Sequence, residues 1–135
     1  MSEISVILPV YKKDKVEYLR KSVESILNQT YKDIHLYIGV DGPVGDDLKE
    51  VLQLLEKQNN VSVVWFKENR GLACVLNDLL DICFKEGYEY IARMDADDIS
   101  ELSRFEKQIA FIDEHQEIDV VGGAIKEIDE KGKYR

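Results

Sequence analysis

Basic residues are the scarce charge in this chain. Lys and Arg number 18 against 27 Asp and Glu, a formal net charge of −9, so the surface repels polyanions and argues against nonspecific nucleic-acid binding. Any anionic ligand has to be held by a local device: a bound cation, a helix N-terminus, or a well-placed Arg or Lys. Long apolar runs are missing as well. No stretch approaches the roughly 20 apolar residues of a membrane span, and the start, Met1-Ser2-Glu3-Ile4, has no basic segment ahead of an apolar one. A cytoplasmic location is expected, with membrane association of a full-length protein left open. Cysteine is limited to Cys74 and Cys83, which argues against a disulfide framework. Both fall on apolar positions of a predicted helix and read as buried thiols.

Several enzyme signatures are absent too. There is no phosphate-binding glycine loop of the P-loop or dinucleotide type, and no Ser-His-Asp or Cys-His arrangement can be argued from spacing. His35 sits inside an apolar strand and His115 near a helix end, without metal-ligand spacing, so both read as structural. No internal repeat, low-complexity tract or flexible linker interrupts the chain.

What is present is an ordinary globular composition, 44% hydrophobic and 33% charged over 135 residues, enough for one domain with a real core. Short branched apolar runs at Ile4 to Pro9, Ile34 to Val40, Val61 to Phe66 and Tyr88 to Met94 predict strands. Between them, apolar residues recur at helical spacing over Val16 to Leu27, Asp47 to Gln58 and from Leu72 to a stop at Gly87, with a further helix over Ser103 to His115. Asp119 to Gly122 reads as the beginning of another strand. The alternation predicts an α/β fold, a Rossmann-like three-layer sandwich with a mostly parallel sheet and helices on both faces, whose ligands sit beyond the carboxyl ends of the strands. The tail Lys126 to Lys133 alternates charge and ends without a cap, as a chain interrupted mid-fold would.

The strand ends carry the chemistry. Asp95, Asp97 and Asp98 crowd the end of the fourth strand, where like charges raise one another's pKa unless a cation lies between them. Carboxylates on a short loop suit Mg²⁺ or Mn²⁺, which accept their remaining ligands from water and substrate phosphates. The competing reading is an N-cap cluster in which Asp98 or Ser100 caps the helix near Ser103. An EF-hand calcium loop fails because Ile99 and Ser100 occupy the positions where it needs an oxygen ligand and a glycine. Asp41, beside Gly42, is placed either to accept hydrogen bonds from a ribose or base or to stabilise its own turn. Pro9-Val10-Tyr11 leaves the first strand with an aromatic that stacks on a base or merely covers the sheet edge. Arg70 and Arg93 are each placed to neutralise a phosphate, or to cap a neighbouring strand and pair with the local aspartates, respectively.

Five segments in order, Ser5-Val6-Ile7-Leu8-Pro9-Val10-Tyr11, Ser22 to Tyr31, Asp41, Asn69-Arg70-Gly71-Leu72-Ala73 and Ala92-Arg93-Met94-Asp95-Ala96-Asp97-Asp98, together resemble the family 2 inverting glycosyltransferases with the GT-A fold. The resemblance implies nucleotide contacts from Pro9, Tyr11, Asp41 and Asp95 and metal ligation chiefly by Asp97 with Asp95 beside it. Arg70 and Arg93 join the nucleotide-binding set by proximity, and the part played by Asp98 stays open. One departure is visible: where the family carries a second acidic residue after the equivalent of Asp41, this chain has Gly42-Pro43. Family members are commonly longer and supply the acceptor pocket and the catalytic base beyond a segment of this length, so no residue here is assigned as base. The implied function is metal-assisted transfer, with inversion, of a hexose from a UDP-, GDP- or dTDP-linked donor to a glycan or lipid-linked hydroxyl. Residues 1–135 would be its nucleotide-sugar-binding part. The alternatives are a non-catalytic nucleotide-binding module and a nucleotidyltransferase; the latter needs a glycine-rich loop where this chain has Tyr11-Lys12-Lys13-Asp14.

Overall fold

The computed structural model describes residues 3–135; Met1 and Ser2, part of the segment read for a leader, lie outside them. The elements follow in strict alternation: β1 (Ile4–Val10), α1 (Val16–Leu27), β2 (Ile34–Val40), α2 (Asp46–Glu56), β3 (Val61–Trp65), α3 (Leu72–Glu86), β4 (Tyr90–Arg93) and α4 (Arg104–Glu114). The strands form one sheet in the order β3-β2-β1-β4, parallel at every pairing. Predicted boundaries shift by only one or two residues at most ends, the usual fraying of element termini.

The period of two in a strand sends alternate side chains of β1 to opposite faces. Ile4, Val6, Leu8 and Val10 join Leu36, Ile38 and Val40 of β2 under α1, α2 and α4, which contribute Leu19, Val23, Ile26, Leu48, Leu52 and Phe105. Ile7 and Tyr37 point the other way, against Val75, Leu79 and Cys83 of α3. Both faces are therefore covered, as the near-continuous apolar strands require. At about 1.5–3 kcal/mol for each fully buried Leu, Ile or Val, the larger of these two clusters dominates the stability of the sheet. Gly39 lets α3 approach β2 closely: a Cβ there would lie 2.7 Å from Val75 Cγ1.

Two expectations fail. No strand forms over residues 119–122, where Val120 is 87% exposed; an apolar pair becomes a strand only with a hydrogen-bonding neighbour and a covering layer. Within residues 119–135 the ladder is confined to an antiparallel bridge between Ile128 and Tyr134. Cys74 is exposed rather than buried, while Cys83 is buried as expected. Helix α3 carries more apolar residues than its buried stripe of Val75, Leu79 and Cys83 can use, and one step along a helix turns a side chain by about 100°.

Candidate functional site

The order β3-β2-β1-β4 reverses direction between β1 and β4, and in an open parallel sheet the crevice outside that switch point is where ligands bind. The acidic run leaves β4 at this place. The ladder extends one residue past β4, Met94 N–H donating to the Ile7 carbonyl at 3.0 Å. The chain then turns, Asp98 N–H donating to the Asp95 carbonyl at 3.3 Å. Ala96 is buried in the main core cluster, so the small residue inside the run anchors the loop and the flanking aspartates are left at the surface.

Asp95, Asp97 and Asp98 each offer a carboxylate oxygen, and these oxygens lie within 4.8 Å of one another. Partial burial, then the charges of Asp97 and Asp95, push the Asp98 carboxyl above its ordinary range. An all-oxygen, like-charged donor set at that spacing fits a hard divalent cation, which takes carboxylate oxygens and relieves their repulsion. The rival N-cap reading is not what the helix shows. Ser103, the N-cap of α4, makes no side-chain cap bond, and the Phe105 amide is met instead by Gln29 Oε1 at 3.0 Å.

Arg93 pairs with Asp95 at 3.1 Å, both side chains substantially exposed. Behind it Arg104 donates to the Arg93 carbonyl at 3.2 Å and to Ser100 Oγ at 3.0 Å. Burial pulls the Arg104 guanidinium pKa down, and the negative charge of Asp98 opposes that shift. On the β1 side of the crevice Pro9 is half-buried opposite Gly39, and Tyr11 is 42% exposed. Tyr11 N–H donates to Asp14 Oδ2 at 2.9 Å.

Asp14 is a residue that no sequence motif singled out. Burial first, and then the charges of Asp97 and Asp95, raise its carboxyl pKa against the lowering effect of the Tyr11 amide. A fourth carboxylate thus belongs to the field of the acidic run. A cleft of about 270 Å³ opens alongside, lined by Asp97, by Tyr18 and Lys21 of α1 and by Ile128 and Asp129. No spacing rule links Asp14 or Lys21 to Asp97, because only the sheet order brings them together.

Asp41 and Arg70 form a second group at the end of β2. Asp41 is buried, its N–H donates to the Val10 carbonyl at 2.7 Å, and its carboxylate accepts the amides of Arg70 at 2.7 Å and Gly71 at 3.0 Å. Asn69 Nδ2 donates to the Asp41 carbonyl at 3.2 Å. The alternative in which Asp41 stabilises its own turn does not describe this. The carboxylate secures a loop 29 and 30 positions away, rather than its own turn. Gly42, with φ +85°, is approached by that loop as well, since a Cβ would stand 2.6 Å from Asn69 N. The Arg70 side chain is engaged by Asp78 of α3 and lies over the Phe66 ring at 5.2 Å.

The chain matches the family described as Glycosyl transferase family 2 over residues 5–135. It is 37% identical over 131 residues to the amylovoran biosynthesis glycosyltransferase AmsE of Erwinia amylovora, covering 97% of this chain and 48% of that protein. The crystal structure of S. aureus TarS 1–349 in complex with UDP-GlcNAc is similar with a TM-score of 0.71 and 22% identity, covering 84% of this chain and 32% of that one. The mannosyltransferase PcManGT from Pyrobaculum calidifontis, solved with GDP-Man and Mn²⁺, has a TM-score of 0.61 at 19% identity over 73% of this chain and 28% of that one. At these identities the structural likeness is one of fold, the α/β arrangement of GT-A glycosyltransferases. The chain spans about half the length of curated relatives such as AmsE.

Proposed function

This chain belongs to glycosyl transferase family 2, and on that premise we propose that it binds the nucleotide-sugar donor of an inverting, metal-assisted hexosyl transfer. The observation that carries the reading is the convergence of the Asp95, Asp97 and Asp98 carboxylate oxygens within 4.8 Å, at the β1/β4 switch point. Asp97 and Asp95 would hold Mn²⁺ or Mg²⁺, and the cation, when bound, neutralises charge building on the departing nucleoside diphosphate. The Mn²⁺ and GDP-Man carried by PcManGT, and the UDP-GlcNAc carried by TarS, support a donor of this class.

The chain's own residues bind and orient the donor. Pro9 and Tyr11 flank the base, and the exposed ring of Tyr11 offers it a stacking face. A carboxylate offers about four lone-pair sites, so Asp41 retains acceptor capacity for a base or ribose after taking two backbone amides. Arg93 and Arg70 face phosphate only by exchanging their present partners, Asp95 and Asp78. In this reading residues 1–135 are the donor-binding part of a longer enzyme. The carboxylate that deprotonates the acceptor hydroxyl, on a glycan or lipid-linked sugar, belongs to the remainder. Attack on the anomeric carbon from the side opposite the diphosphate inverts its configuration.

Calorimetry with UDP, GDP and dTDP, each with and without Mn²⁺, tests the proposal on this chain and on Asp97→Ala. Metal-dependent binding of one nucleotide, largely removed by the substitution, is expected. Equal metal-free binding by both proteins would sink the assignment of Asp97.

A further inference from the structure

Ser22 and Ser25 of helix α1, on one side of the helix, and Gln29 just past its end are three buried polar side chains. Buried polar groups are costly unless bonded, and all three are bonded to the segment that follows β4. Ser22 Oγ donates to the Asp95 carbonyl at 2.8 Å. Ser25 Oγ accepts the Ser100 amide at 3.0 Å while donating to the Ser22 carbonyl at 2.7 Å. Gln29 Nε2 donates to the Glu101 carbonyl at 2.6 Å and to the Ser25 carbonyl at 2.9 Å. Its Oε1 accepts the Phe105 amide at 3.0 Å, so the side-chain amide is bonded at both ends.

These bonds grip the loop on either side of the acidic run: at its first aspartate by Ser22, and just past its last by Ser25 and Gln29. Three carboxylates within 4.8 Å repel one another and would spread a loop tethered only by its covalent ends. We propose that Ser22, Ser25 and Gln29 are positioning residues that preset the spacing of Asp95, Asp97 and Asp98 for a divalent cation, an inference that rests on the donor-binding reading above. In this role the three side chains bond backbone groups of the loop and of the start of α4 and are not themselves metal ligands. They act through the backbone of the loop, so that the cation meets an assembled site instead of ordering one.

The test measures Mn²⁺ affinity in the presence of whichever of UDP, GDP and dTDP binds the unsubstituted chain, on Ser22→Ala and Ser25→Ala. Each removes one hydroxyl and leaves the apolar stripe intact. Val51→Ala, a core truncation on α2 that removes no hydrogen bond to the loop, controls for loss of stability alone. A rise in the Mn²⁺ dissociation constant of roughly tenfold, the lower range for groups that orient metal ligands, is expected in both Ser variants and not in Val51→Ala. The EPR spectrum of the bound Mn²⁺ should change with it, since its ligands are no longer held in one geometry. Should Ser25→Ala fail to fold, Ser22→Ala decides alone. Unchanged Mn²⁺ affinity and spectrum in the Ser variants, or an equal loss in Val51→Ala, overturns the positioning role while leaving the donor-binding reading standing. No metal-dependent nucleotide binding by the unsubstituted chain overturns both.

Discussion

Asp41 holds Arg70 by its backbone, Oδ1 accepting the Arg70 amide at 2.7 Å while Oδ2 accepts that of Gly71 at 3.0 Å. Two donors just ahead of α3 are thereby met by a charge that also suits the positive end of the helix dipole. Asp41→Ala should lower the unfolding free energy by about 1.5–3 kcal/mol, the range for a hydrogen bond to a charged group, because the amides of Arg70 and Gly71 lose a charged acceptor. Asp41→Asn keeps one acceptor and should lose less. Urea unfolding of the two variants checks the order, and equal losses would mean that the oxygen kept by Asn contributes nothing.

Close approach by the chain itself makes two glycines intolerant. Gly42→Ala places a Cβ 2.6 Å from Asn69 N at φ +85°, against rigid backbone, and should cost about 2 kcal/mol or more. Gly39→Ala meets Val75 Cγ1 at 2.7 Å, a side chain that can be trimmed. Thermal unfolding should therefore show Val75→Ala offsetting part of the loss in Gly39→Ala and none of that in Gly42→Ala.

The two thiols should behave differently. Cys74 is exposed and Cys83 buried, and burial pushes the Cys83 thiol pKa upward, leaving less of the reactive thiolate. A colourimetric thiol reagent should label Cys74 at once and Cys83 only as the chain opens. Simultaneous labelling of both in native buffer would contradict the packing of α3 against β1 and β2.

Asp14 predicts a pH dependence. Its folded pKa lies above the ordinary 3.8, chiefly through burial and then through Asp97 and Asp95. The ionised form is thus disfavoured in the fold. That penalty is absent below 3.8 and complete once the pH has risen through the folded value, so the contribution of this group makes the metal-free chain less stable over that window. Asp14→Asn keeps an oxygen for the Tyr11 amide and removes the charge. It should stabilise the metal-free chain near neutrality, with the gain vanishing as the pH falls to the ordinary carboxylate value. A gain independent of pH would assign the effect to something other than titration.

The architecture was legible because it rests on local periodicities. Alternating short apolar runs and helical stripes name the order of elements, and βαβ units leave few ways to arrange a parallel sheet. Asp119 to Gly122 escaped this logic because pairing is a property of two segments. Cys74 escaped it because α3 has apolar residues on more than one side. The acidic run was visible as a cluster, whereas the bond by which Gln29, 76 positions from Phe105, meets the helix amide was not.

Residue order alone determined that a carboxylate-rich loop follows the fourth strand and that Asp41 and Arg70 stand at element ends, since strand and helix periods are written in consecutive residues. Only the tertiary structure decided what those residues touch. It brought Asp14 into the field of Asp95 and Asp97, made Asp41 the brace of a distant loop, and set Ser22, Ser25 and Gln29 against the segment that carries the acidic run. Each is a hydrogen bond or a charge interaction between segments far apart in the chain. Their geometry exists only once the sheet has ordered its strands and α1 has packed against it.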